Sequence, residues 1–199
     1  MRRTFLPLLI LCHAPACGDS TGPERPDISV SVTNFLRFME AGESFRFVAV
    51  VSGATGQVGW TSSNQSVVTI DQTGLAVAHT SGASDIRATF GSASFGWLLT
   101  VVRPIATLAI EPAGVELVPG DKVQLMVVPA DATGAPVTDT DGDRYELAAT
   151  AVWSIADLTV ARAEDAGQPA LLTVLREAQT TVGAELLGHD ASTTLAGRL

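Results

Sequence analysis

The sequence predicts an all-β protein built as two sandwiches in tandem behind a cleaved leader. Three observations carry that expectation. Short apolar segments alternate in and out with a period of two and are separated by Gly, Ser, Asn and Asp. No amphipathic helix of useful length interrupts them. The pattern of the first half then returns, in part, in the second. Apolar residues make up 46 %, but aromatics are few: seven Phe, three Trp and one Tyr. Cores must therefore be filled mainly by Val, Leu, Ile and Ala, which suits the thin interior of a sandwich.

Residues 1–16 are expected to be removed as a signal peptide. Arg2 and Arg3 form a positive start, Phe5–Leu11 an apolar run, and Ala14 and Ala16 a small-residue exit. The apolar run is far shorter than the roughly 20 residues needed to span a bilayer. Cys17 follows immediately, and the junction resembles the lipobox of bacterial lipoproteins. That resemblance implies a diacylglycerol thioether on Cys17, a membrane partner reached through that lipid, and delivery to the outer membrane or cell surface. A plain secretory leader with an incidental cysteine is the alternative. Cys12 lies within the discarded run, so no disulfide is expected. Residues 17–27, polar and bearing Pro23 and Pro26, form the anchor and a flexible tether.

The first sandwich is expected over residues 28–103. Its strands read as Ile28–Thr33, Glu43–Val51, Gln57–Thr61, Val67–Ile70, Leu75–His79, Ser84–Phe90 and Ser94–Val102. Asp71-Gln72-Thr73-Gly74 has the composition of a type I turn whose glycine takes a positive φ and closes a bulged hairpin. Trp60 is expected between the sheets as a core plug.

The second sandwich is expected over residues 104–199. Val32–Val50 aligns without gaps on Ile110–Val128, placing Gly42 on Gly120, Glu43 on Asp121, Phe45 on Val123 and Phe47 on Leu125. Trp60 finds its counterpart in Trp153 after a longer interval, so the second copy carries an insertion within Pro129–Ala151. It lacks the Asp-x-x-Gly hairpin after its tryptophan, and the chain ends soon after Gly197. A missing edge, or completion by a partner, is therefore left open. Leu171–Gln179 is taken as strand, against a helical alternative. With only Arg103-Pro104 as a connection, the joint should be stiff and the rod about 70–80 Å long.

Trp60-x-Ser62-Ser63, Val67-Val68-x-Ile70-Asp71, Gly74-Leu75 and the closing alternation through Val102 resemble the bacterial immunoglobulin-like domain, group 2. The match covers Ile28–Val102 well and Ile105–Leu199 less well. It implies immunoglobulin-like β-sandwiches serving adhesion, display or spacing on a bacterial surface.

Charge excludes some function classes. The chain is acidic, with 12 basic against 21 acidic residues and a formal net charge of −9, and Lys122 is its sole lysine. Nucleic-acid binding needs a basic footprint and is not expected. No nucleophile elbow, phosphate-cradling glycine loop or His/Cys metal spacing occurs, and His79 and His189 fall one to each sandwich, so no enzyme and no cofactor are expected. Asp139, Asp141 and Asp143 alternate around Gly142 like the start of a calcium loop, but position twelve is Thr150, so they stand as a weak calcium candidate beside a solvated turn. Phe95 and Trp97 project to one face of the last strand of the first sandwich. They are candidate contacts for a protein or glycan ligand, with core packing the favoured alternative. A carbohydrate-binding accessory module and a subunit of an envelope assembly are the competing functions.

Overall fold

The computed structural model describes residues 27–139, 142, 145–165 and 169–198. Among these residues the fold is all-β apart from one helical turn. Nine strands form the first sandwich: β1 (Ser29–Val32), β2 (Phe38–Glu40), β3 (Ser44–Arg46), β4 (Ala49–Ser52), β5 (Gly59–Ser62), β6 (Val68–Ile70), β7 (Leu75–Ala78), β8 (Gly82–Phe90) and β9 (Ala93–Val102). One sheet runs β2-β9-β8-β5. The facing layer is β3-β7-β6 with the β1-β4 pair. Between them sit Phe47, Trp60, Val68, Ile86, Leu99 and Val101, all buried.

Two short elements depart from the expected strands. The single strand expected over Glu43–Val51 is split into β3 and β4. At the break the Phe47 N–H donates to the Gly74 carbonyl, and Asn34 takes the Val48 N–H on its amide oxygen while donating to the Arg46 carbonyl. Alternation runs on through the break, so hydropathy gives no sign of it. Strand β2, unforeseen, lies parallel to β9, pairing Phe38 with Thr100 and Glu40 with Val102. Here the chain leaves one sheet after β1 and joins the other, a crossing that three residues cannot announce by periodicity.

The second sandwich comprises β10 (Thr107–Glu111), β11 (Val115–Leu117), β12 (Lys122–Ala130), β13 (Val152–Ile155), β14 (Ala161–Asp165), β15 (Ala170–Val174), β16 (Gln179–Leu186) and β17 (His189–Gly197). Its sheets are β10-β12-β15-β14 and β11-β17-β16-β13, the pairing scheme of the first sandwich strand for strand. β17 is nine residues long, antiparallel to β16 and parallel to β11, so both its flanks are taken. Leu171–Gln179 is strand and turn, divided between β15 and the start of β16.

The insertion within Pro129–Ala151 holds the turn α1 (Tyr145–Ala148), which composition did not reveal because four residues are too few for a helical period. Val137, Leu147 and Ala148 are buried in the second core, and so are Phe38 and Val102 from the first sandwich. The second core thus extends across the joint.

Candidate functional site

Asx turns shape the loops. Asp71 Oδ1 accepts from the Thr73 N–H, the Thr73 hydroxyl and the Leu75 N–H. Asp131 does the same with Thr133 and Ala135, and Asp157 with the two Thr159 donors. In each turn the threonine hydroxyl, followed by backbone N–H donors, holds the aspartate below the usual carboxylate range. Glu164 is likewise lowered, first by Lys122 and then by the Thr173 hydroxyl. These are structural carboxylates stabilised in their charged form, and each has its partners close at hand in the fold.

Of the residues singled out from sequence, Cys17 lies outside the described residues, as do the whole expected leader and most of the tether. Asp141 and Asp143 of the calcium candidate do too. Asp139 lines a cleft of about 280 Å³ at the joint with Ser81, Gly82, Val101, Arg103 and Thr138. No group of three or more His, Cys, Asp or Glu able to hold a metal occurs among the described residues. No helix there is long and apolar enough to cross a membrane.

Phe95 and Trp97 come together as their spacing on β9 requires, with ring centroids 5.9 Å apart. The Trp97 ring meets Phe47 edge-on at 4.9 Å and Trp60 at 6.4 Å, and its indole N–H donates to the Leu36 carbonyl at 2.9 Å. Both residues are half-buried, and their rings belong to the interior cluster. Phe35, which the sequence did not single out, covers them at 5.9 and 6.1 Å and is itself 47 % exposed. It sits in the crossing between β1 and β2, where no strand pattern marks it.

The joint is the most elaborate polar site. Glu40 is 6 % exposed. Its Oε2 accepts the Ile105 N–H at 2.9 Å, and its Oε1 lies 2.7 Å from His189 Nε2. A carboxylate at the end of β2 thus holds both the first residues of the second sandwich and its β16–β17 hairpin. That hairpin turns through Leu187 (φ 50°) and Gly188 (φ 82°), the positive pair of a type I′ turn, and Leu187 packs on the second core. The insertion braces the other side: Arg103 pairs with Asp131 and donates to the Pro136 carbonyl, and Arg37 reaches Glu146 at 3.6 Å. The last pair is exposed and adds little. Nothing in the sequence couples Glu40 to His189, since 149 positions separate them.

Comparison with known proteins gives the following similarities. Ice-binding protein 1 of Shewanella frigidimarina (strain NCIMB 400) is 29 % identical over 185 residues, covering 88 % of this chain and 20 % of its own length. The chain therefore spans about a fifth of that relative. Among solved structures, the Yersinia pseudotuberculosis adhesin InvE superposes with a TM-score of 0.38 at 16 % identity, over 89 % of this chain and 62 % of that one. Domains 4 and 5 of the S-layer protein SbsC give a TM-score of 0.37 at 12 % identity, over 87 % and 98 %. The family model of the bacterial Ig-like domain (group 2) matches residues 29–101.

Proposed function

We propose that this protein is a lipid-anchored surface module that spaces or displays binding surfaces away from a bacterial envelope. In this reading residues 1–16 are the export signal, Cys17 carries the lipid, and residues 18–27 tether the sandwiches. The joint is the observation that carries it. A spacer must transmit position along its length, and Glu40, buried between Ile105 and His189, ties the sandwiches side chain to backbone and side chain to side chain. The Ig-like domain at residues 29–101 supports the same reading. The functions in the names of the relative and the adhesin remain properties of those proteins.

Mass spectrometry of the mature N-terminus tests the anchor. A di- or triacylated Cys17 is the expected result, and a chain beginning elsewhere or bearing an unmodified cysteine overturns it. The second reading is a glycan-binding accessory module, favoured by the half-exposed Phe35 stacked over Phe95 and Trp97. Glycan binding that is lost on Phe35→Ala would replace the spacer with that function.

A further inference from the structure

A strand edge with unpaired N–H and C=O groups templates the addition of another strand. β9 presents such an edge over its first half. It pairs with β8 from Ala93 to Val101, but β2 covers its other side only from Thr100 to Val102. There the Thr100 N–H donates to the Arg37 carbonyl and the Val102 carbonyl accepts from the Ala41 N–H, so even-numbered residues turn their backbone groups to this side. Alternation gives Ser94, Gly96 and Leu98 the same direction, and their backbone groups have no partner there among the described residues. Residues 93–98 carry no charge and no proline.

The two faces beside this edge differ in chemistry. On the inner face the half-exposed Phe35 ring lies over Phe95 and Trp97, which both point inward. On the outer face Arg87 reaches from β8 over β9 itself. It donates to the Ser94 hydroxyl at 3.2 Å, and a Cβ on Gly96 would stand 3.8 Å from its guanidinium carbon. Because Gly96 has no side chain, the guanidinium lies uncovered on the edge strand. Arg87 is exposed, and no carboxylate pairs with it among the described residues, in a chain with 21 acidic against 12 basic residues. Asp85, the next outward residue of β8, stands opposite Leu98.

We infer that the first half of β9 is a docking edge for an extended segment of another polypeptide, bearing an acidic side chain opposite Gly96 and apolar ones on either side of it. Main-chain bonds to Gly96 and Leu98 supply the pairing. Successive side chains of a strand point to opposite faces, so the acid falls beside Arg87 while its apolar neighbours fall on Phe35. Asp85 disfavours a second acid opposite Leu98, since like charges across a ladder cost stability. A second copy joined edge to edge about Gly96 would set two Arg87 side chains together. The inference goes beyond the surface-module reading, and the state of Cys17 leaves it untouched.

The test uses the full chain and a blocked synthetic probe, acetyl-Ser-Thr-Val-Glu-Val-Thr-Ser-amide, at millimolar concentration. Amide hydrogen exchange at Gly96 and Leu98 should slow in its presence. A probe N-methylated throughout should have no effect, which separates strand pairing from stacking on Phe35 alone. A probe with Lys in place of Glu should bind more weakly. Arg87→Gln should weaken binding of the Glu probe about threefold, the scale of one cross-strand charge pair. Arg87→Glu should reverse the order of the two probes. Unaltered exchange with the Glu probe overturns the proposal, as does equal binding of the Lys probe or undiminished binding to Arg87→Gln. Protection of Gly96 and Leu98 without any probe overturns it too: at every protein concentration it assigns the edge to the chain's own residues, and with a sedimenting dimer to a second copy.

Discussion

Gly74 shows how one residue joins a turn to the core. It holds φ at 80°, and a Cβ there would stand 2.5 Å from the Phe47 carbonyl and 3.3 Å from the Trp60 ring. Gly74→Ala should cost at least about 1–2 kcal/mol for the left-handed backbone alone, and more from the contact with Phe47, measured by urea unfolding. The two matched tryptophans are less alike than their positions suggest. Trp60 is 5 % exposed, whereas Trp153 is half-buried and its buried indole N–H has no partner among the described residues. Trp60→Ala should therefore cost about 3–5 kcal/mol and Trp153→Ala clearly less, by the same measurement. The Asx aspartates make stability pH-dependent. Asp71, Asp131 and Asp157 are lowered in the folded chain and ordinary in the unfolded one, so their stabilisation is present above the ordinary carboxylate range and fades as pH falls through the folded values. The thermal midpoint should drop as the pH is lowered through and below the ordinary carboxylate range, and Asp71→Asn, which keeps the acceptor oxygen, should flatten that slope.

At the scale of elements, the turn Asp71–Gly74 does two jobs that its Asp-x-x-Gly pattern announces only in part. The carboxylate and the glycine build the bulged hairpin foreseen from sequence. Gln72, the free position between them, reaches across to close the edge of β5. Gln72→Ala should leave the core intact while the Trp60 amide exchanges faster, and it should raise the tendency to aggregate, read by light scattering. The strands themselves were legible because each buries one face and so must alternate. β2, β11 and α1 were not, since three or four residues carry no period and exist only by pairing or packing onto something already formed.

For the whole molecule the controlling group is Glu40. Glu40→Ala removes the acceptor for the Ile105 N–H and the partner of His189, and should cost about 1–3 kcal/mol for the stranded donor. Small-angle scattering of the variant should show a broader range of end-to-end distances, while Glu40→Gln, which still accepts from Ile105, should fall between it and the parent. Retention of the parent profile by Glu40→Ala would mean that Phe38, Val102 and the insertion hold the joint without it.

By itself the sequence determined the β class, the eventual interior position of Trp60, the glycine-closed hairpin and the echo of the first half in the second. All of these follow from local periodicity or from the backbone needs of a single residue, and both are written in consecutive positions. The tertiary structure alone decided the split of the second strand, the guard on β5, and the meeting of Glu40 with His189. Those depend on which distant groups remain unpaired after the sheets have formed, and a backbone N–H or a carboxylate looks the same in sequence whether the fold satisfies it or leaves it open.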